Sequence, residues 1–122
     1  MSKADHLAAY AEGWTKGDSD KLVSALDDSY MLDDPNHGRV GKGEMPDYIE
    51  SMKALVAELR GGAEEAHLVE LTEVVTGEDD GVLTAWCWFS VPGTTIEGGG
   101  LIKVADEGVV SERLVYYTAL PA

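Results

Sequence analysis

Asp34 is the residue that its surroundings in the sequence single out for chemistry. It ends the run Asp27-Asp28-Ser29-Tyr30-Met31-Leu32-Asp33-Asp34-Pro35, a short apolar stretch between acidic pairs that stops at a proline. Pro35 fixes its own φ and keeps the residue before it out of the helical region, so Asp34 is expected at the end of a short strand over 30–33. A carboxylate there, beside apolar neighbours, suits either a general base or a group that merely stabilises the turn. Alternation turns Asp33 the other way, to the surface. Tyr10 is either a core side chain with a satisfied hydroxyl or a donor to a ligand. His37, in the glycine-rich loop after Asp34, is a candidate second proton carrier or a solvated loop histidine. His6 and His67 lie far apart with no metal-binding motif joining them. Cys87 is the only cysteine, which excludes an intrachain disulfide and a thiolate metal cluster, and with no metal-site motif elsewhere no metal is expected.

The elements that must position these residues follow from periodicity. Leu7, Tyr10, Ala11 and Trp14 recur at helical spacing over 2–15, with Ser2 and Asp5 as a capping box and Gly17 as the left-handed stop. Asp18 caps a short second helix whose buried stripe is Leu22, Val23 and Leu26. Residues 35–43 read as loop. The third helix puts Met45, Tyr48, Ile49, Met52, Leu55, Val56 and Leu59 on one face and closes at Arg60-Gly61-Gly62, with Pro46 tolerated in its first turn. From there the period becomes two. Strands are expected over 66–76, 82–91, 94–105 and 109–119, joined by turns at 77–81, 92–93 and 106–108, which makes the sheet antiparallel. Gly98-Gly99-Gly100 reads as a bend or bulge whose missing side chains leave room for a ligand. No helix follows it, so it is not a phosphate loop.

The strand over 82–91 is apolar on both faces. Leu83, Ala85, Cys87 and Phe89 form one face, expected to pack under the helices. Val82, Trp86 and Trp88 form the other, expected to meet a second copy of the chain in a homodimer.

At 122 residues, 44% hydrophobic and 26% charged, the chain fits one soluble domain with its own core. Twenty-three acidic against nine basic residues give a net charge of −14, which repels phosphate backbones and anionic membrane surfaces. The first residues lack an apolar signal core and no run reaches membrane-spanning length, so a cytoplasmic location is the default expectation.

The segment Tyr10-Ala11-Glu12-Gly13-Trp14-Thr15-Lys16-Gly17-Asp18, then Leu22-Val23, Asp27-Asp28 and Asp33-Asp34-Pro35, resembles the NTF2-like superfamily, in particular its SnoaL-like polyketide cyclases and ketosteroid isomerases. Gly41-Lys42-Gly43 and the closing stretch 100–117 fit the same pattern, which covers nearly the whole chain. The resemblance implies a cone-shaped α+β fold of three helices on a strongly curved antiparallel sheet. It also implies a mostly apolar pocket. Carried over residue by residue, the isomerase pattern puts its oxyanion-binding tyrosine on Tyr10 and its general base on Asp34. Its protonated aspartate, a carboxylic acid that the isomerases keep neutral so that it can donate a hydrogen bond, falls on Gly100, and that part is missing. The same carry-over sets Arg113 on the pocket side with Val115 and Tyr117, either stabilising an oxyanion or pairing with Asp34.

These expectations combine into a single domain binding a small hydrophobic carbonyl compound, with Asp34, Tyr10 and Arg113 as catalytic residues. Trp14, Met52, Val56, Leu83, Ala85, Gly100, Ile102, Val115 and Tyr117 would line the pocket. The activity implied is a cofactor-independent isomerase or cyclase; a non-catalytic binder and a dimerisation module are the alternatives on the same fold.

Overall fold

The structure, a computed structural model, describes residues 1–118. Helix α1 (Lys3–Lys16) begins at the expected capping box: Asp5 N donates to Ser2 Oγ at 3.1 Å and Ser2 N donates to Asp5 Oδ2 at 3.0 Å. It ends at Gly17, whose φ of 66° is the left-handed conformation that glycine takes without penalty. Helix α2 (Ser19–Ser24) follows at once, capped by Asp18. Gly13 allows the two helices to cross closely, since a Cβ there would lie 2.6 Å from Leu22 Cβ. Helix α3 (Met45–Arg60) carries Pro46 in its first turn and buries Met45, Tyr48, Ile49 and Val56.

Six strands form one open sheet: β1 (Leu26–Asp34), β2 (Gly38–Gly41), β3 (Glu70–Asp79), β4 (Val82–Ser90), β5 (Glu97–Ala105) and β6 (Gly108–Tyr116), in the order β2-β1-β6-β5-β4-β3. The four C-terminal strands are antiparallel neighbours, as their short connections require. The sheet as a whole is mixed, because β1 runs parallel to β6. That pairing is possible because α3 and four strands, β2 to β5, intervene between them, ample chain for a crossover. Part of the expected loop at 35–43 is strand β2, which folds back on β1 with Leu32 opposite Val40 and buries Val40. Strand β3 lies a few residues later than expected, and its turn tightens to Asp80-Gly81, with φ of 56° and 78° at the two positions that a type I′ hairpin needs positive. Ala119, the expected end of the last strand, lies outside the described residues.

No bulge occurs at Gly98-Gly99-Gly100, which pair in regular register with β4 and β6. One bulge lies on β6 instead: Lys103 pairs with Ser111 and Val104 with Val109, so Val110 is the extra residue there. Unbroken alternation from the buried Val109 would carry Arg113, Val115 and Tyr117 inward. The extra residue shifts the phase, and Glu112, Leu114 and Tyr116 turn inward instead, leaving Arg113, Val115 and Tyr117 exposed.

The helices cover the inner face. One core cluster joins Tyr10, Leu22, Tyr30, Leu32, Tyr48, Ile49, Ala85, Ile102 and Val104; a second joins Val56, Leu68, Phe89, Val91 and Ile96. Among the described residues no helix is long and apolar enough to cross a membrane.

Candidate active site

A cavity of about 100 Å³ lies between the two core clusters. Helix α1 contributes Leu7, Tyr10, Ala11 and Trp14 to its wall, and α3 contributes Tyr48, Met52 and Val56. The sheet supplies Leu71, Val74, Ala85, Cys87, Phe89, Ile102, Glu112, Leu114 and Tyr116, and the connecting segments Leu68, Val69, Val91 and Ile96. The wall is apolar but for a few groups, as expected of a small-molecule site.

Glu112 is the most consequential of these. It is 4% exposed, and among the described residues no cation pairs with it. Its Oε1 accepts a short hydrogen bond from the Tyr10 hydroxyl, which in turn lies 2.5 Å from the Tyr30 hydroxyl. Burial pushes the Glu112 carboxyl up to about 7, with the Tyr10 hydrogen bond working against the shift. Burial likewise holds both phenols well above their usual range.

The direction of the protons in this chain follows from counting acceptors. Among the described residues the Tyr30 hydroxyl has one side-chain partner, the Tyr10 hydroxyl. Were Tyr10 to donate to Tyr30, the buried proton of Tyr30 would have no acceptor among the described residues, at a cost of about 1–3 kcal/mol. The favoured order is therefore Tyr30 donating to Tyr10 and Tyr10 to Glu112 Oε1. When Glu112 is protonated its own proton sits on Oε2. That oxygen occupies space which glycine provides: a Cβ at Gly100 would lie 2.1 Å from it.

A second polar cluster surrounds Asp34. Tyr48 donates to Asp34 Oδ2 at 2.6 Å, Tyr116 donates to the same oxygen at 3.3 Å, and Asn36 N donates to Oδ1 at 2.8 Å. Burial first, and the contact with Asp34 after it, push both phenols above their ordinary range. Asp34 is itself buried and does not reach the cavity wall; the two tyrosines that hold it do. His37 is exposed and meets the Tyr48 ring edge-on, with centroids 5.1 Å apart.

The expected site residues thus divide. Tyr10, Trp14, Met52, Val56, Ala85 and Ile102 line the cavity, and Asp34 stands one side chain behind it. Arg113, Val115 and Tyr117 face away, because the β6 bulge reverses their phase. Leu83 packs at the rim of the core near the start of α1, outside the cavity. Gly100 faces inward but leaves no room for a ligand, since Glu112 fills the space; at Gly98 the Val115 carbonyl and the Phe89 ring do the same, and Gly99 lies on the outer face against Trp86. Cys87 is a buried wall residue whose thiol burial pushes up to about 12. The Nε1 of Trp14 is fully covered and, among the described residues, without a hydrogen-bond partner. Sequence reasoning missed Glu112 and Tyr116, both on the far side of a bulge that no local residue pattern announces. Tyr48 was legible as part of the α3 stripe, but its bond to Asp34 was not.

No family model matches the chain, and no curated protein matches it in sequence. Solved structures do. An NTF2-like protein of unknown function from Cytophaga hutchinsonii superposes with a TM-score of 0.66 at 13% identity, over 95% of this chain and 90% of that one. A cystatin-like-fold protein of unknown function from Xanthomonas campestris gives 0.65 at 20% identity, over 97% and 92%. A protein from the same species assigned provisionally as a polyketide cyclase gives 0.62 at 16% identity, over 92% and 87%. The chain therefore has an NTF2-like α+β fold, with helices on an open six-stranded mixed sheet. At these identities the likeness establishes fold and not chemistry.

Proposed function

We propose that the protein binds a small, uncharged, carbonyl-bearing apolar molecule in this cavity and moves a proton next to the carbonyl, as a cofactor-independent isomerase or cyclase does. Enolisation needs a donor at the oxygen where charge develops and an acceptor near the C–H. Glu112, backed by Tyr10 and Tyr30, supports the first role. Asp34 supports the second through Tyr48: the C–H proton passes to the Tyr48 oxygen as the Tyr48 proton moves to Asp34 Oδ2, leaving an enolate and a protonated Asp34. The observation that carries this reading is a buried, cation-free carboxyl on the wall of an apolar cavity, hydrogen-bonded to a phenol on the same wall. A non-catalytic binder is the second reading, favoured by the hydrogen bonds that already occupy both oxygens of Asp34.

The test is exchange of α-hydrogens of bound cyclic ketones for deuterium in D₂O, followed by NMR. Catalysed exchange in the parent, lost in Asp34→Asn and in Glu112→Leu while binding persists, supports the enzyme. Binding without exchange supports the carrier, and no binding at all rejects both.

We also propose that the outer sheet face joins two copies. It carries the cross-strand row Val75, Trp86, Leu101, Arg113 beside the row Glu73, Trp88, Gly99, Val115, with Val75, Trp86 and Val115 exposed. Glu73 and Arg113 occupy opposite corners of this grid. A twofold axis in the interface sets each against its opposite in the other copy, around an apolar centre.

A further inference from the structure

The cavity discriminates by volume. Its wall is almost wholly apolar, and the wall tyrosines Tyr10, Tyr48 and Tyr116 spend their hydroxyl protons on Glu112 and Asp34. At about 100 Å³ it is smaller than the about 150 Å³ of an apolar cavity that stays dry and admits one benzene ring, and far smaller than the about 300–1,000 Å³ of sites for drug-sized ligands. Tyr10, Ala85 and Ile102, none more than 4% exposed, close its inner end, while the half-exposed Val74 marks its opening beside β3. Trp14 sets how far the space extends between the two core clusters. Trp14, Leu71 and Leu114, all on the wall, pack against both clusters, and Trp14 is the largest of the three. Its indole meets the buried Tyr48 ring edge-on, with centroids 6.2 Å apart and planes at 87°, so packing against a core residue holds it in place.

We infer that the ligand is an uncharged compound built on a single small ring, and that the Trp14 indole is the side chain that excludes a second, fused ring. This rests on the small-molecule reading above and narrows it. Each CH₂ group buried strengthens binding about fourfold, so affinity climbs with ring size until the space is full. A further ring then either stays in water, where it adds nothing, or forces the wall apart, which weakens binding. The indole N–H, buried without a partner among the described residues, is a polar group held in apolar surroundings at a cost. A phenyl ring at position 14 removes that cost while it widens the cavity, so the limit can be tested with the fold kept.

The experiment compares cyclopentanone, cyclohexanone and 2-decalone by NMR titration of the cavity-wall methyl groups. In the parent, cyclohexanone should bind about fourfold tighter than cyclopentanone. The two-ring 2-decalone should gain no more than about fourfold over cyclohexanone, although its four extra carbons, if buried, would add about a hundredfold or more. In Trp14→Leu the preference for 2-decalone over cyclohexanone should rise about tenfold or more, as burial of two further carbons gives. Trp14→Phe should shift it the same way by a smaller factor, and it carries the test should Trp14→Leu fail to fold. Ala11→Leu, which fills the cavity from α1, should weaken all three ketones. A parent that binds 2-decalone more than about fourfold tighter than cyclohexanone overturns the inference and leaves the small-molecule reading standing, and so does a preference that neither Trp14 variant changes. Failure of all three ketones to bind overturns both.

Discussion

Gly100→Ala asks whether Glu112 sits where the site requires it. The added Cβ would lie 2.1 Å from Glu112 Oε2, 3.2 Å from its Cδ and 3.6 Å from Cys87 Sγ. Carbon and oxygen cannot approach within 2.1 Å, so the carboxyl or strand β5 must move by about 1 Å or more, the separation at which non-bonded pairs cease to repel lying near 3.2–3.5 Å. Moving the carboxyl breaks its bond to Tyr10, and moving β5 disturbs its ladders to β4 and β6. Overpacking of this kind costs about 1–3 kcal/mol. Against that stands a gain of about 0.4–1 kcal/mol from restricting the unfolded chain, because Gly100 does not have positive φ and alanine can adopt its conformation. The net expectation is destabilisation by about 1–2 kcal/mol, read from urea midpoints at constant slope. In a Glu112→Ala background the obstruction is gone, and the same substitution should become neutral or stabilising. A double-mutant cycle therefore shows coupling of at least about 1 kcal/mol. Additive effects would refute the placement of Glu112 against Gly100, and with it the donor group of the cavity.

Further tests follow from the same geometry. The folded-state carboxyl of Glu112 titrates near 7 against an ordinary value of 4.5, so between these the native state holds the extra proton. Its contribution is complete below pH 4.5 and lost as pH rises through 7; the parent should lose on the order of 3 kcal/mol relative to Glu112→Gln over that window, while the facing phenols of Tyr10, Tyr30, Tyr48 and Tyr116 and the Cys87 thiol, all shifted upward, stay protonated. A parallel pH dependence of the two proteins would count against the buried acid. Tyr48→Phe leaves Asp34 Oδ2 with only the 3.3 Å contact to Tyr116 and should cost about 1–3 kcal/mol in urea unfolding, whereas a change below about 0.5 kcal/mol, on the order of a surface substitution, would show that bond to be weak. For the dimer, Val75→Glu/Val115→Glu places like charges on the outer face; sedimentation should show the mass halved with the circular dichroism unchanged, and a parent already monomeric at micromolar concentration would end the proposal.

Local rules were enough for the helices and for most of the scaffold. The Ser2/Asp5 box, the Gly17 and Gly61 stops, the Asp18 cap and the α3 stripe each depend on residues within a turn of one another, and such interactions can be read directly from spacing. The antiparallel order of the last four strands followed from short connections in the same way. Tyr10, Trp14, Met52, Val56, Ala85 and Ile102 fall on the cavity wall because each lies on an apolar face whose period is unbroken.

What only the tertiary structure decided is which side of β6 faces in. One residue, Val110, is left over when Val109 pairs with Val104 and Ser111 with Lys103, and that surplus exchanges Arg113 for Glu112 at the candidate site. A bulge is set by how two distant strands settle against each other, so nothing within β6 marks it. The same holds for the parallel seating of β1 beside β6 and for the meeting of Asp34, Tyr48 and Tyr116, three residues spread over 82 positions of sequence. The chain specifies its acids and phenols; the register of one strand pair decides which of them share a cavity.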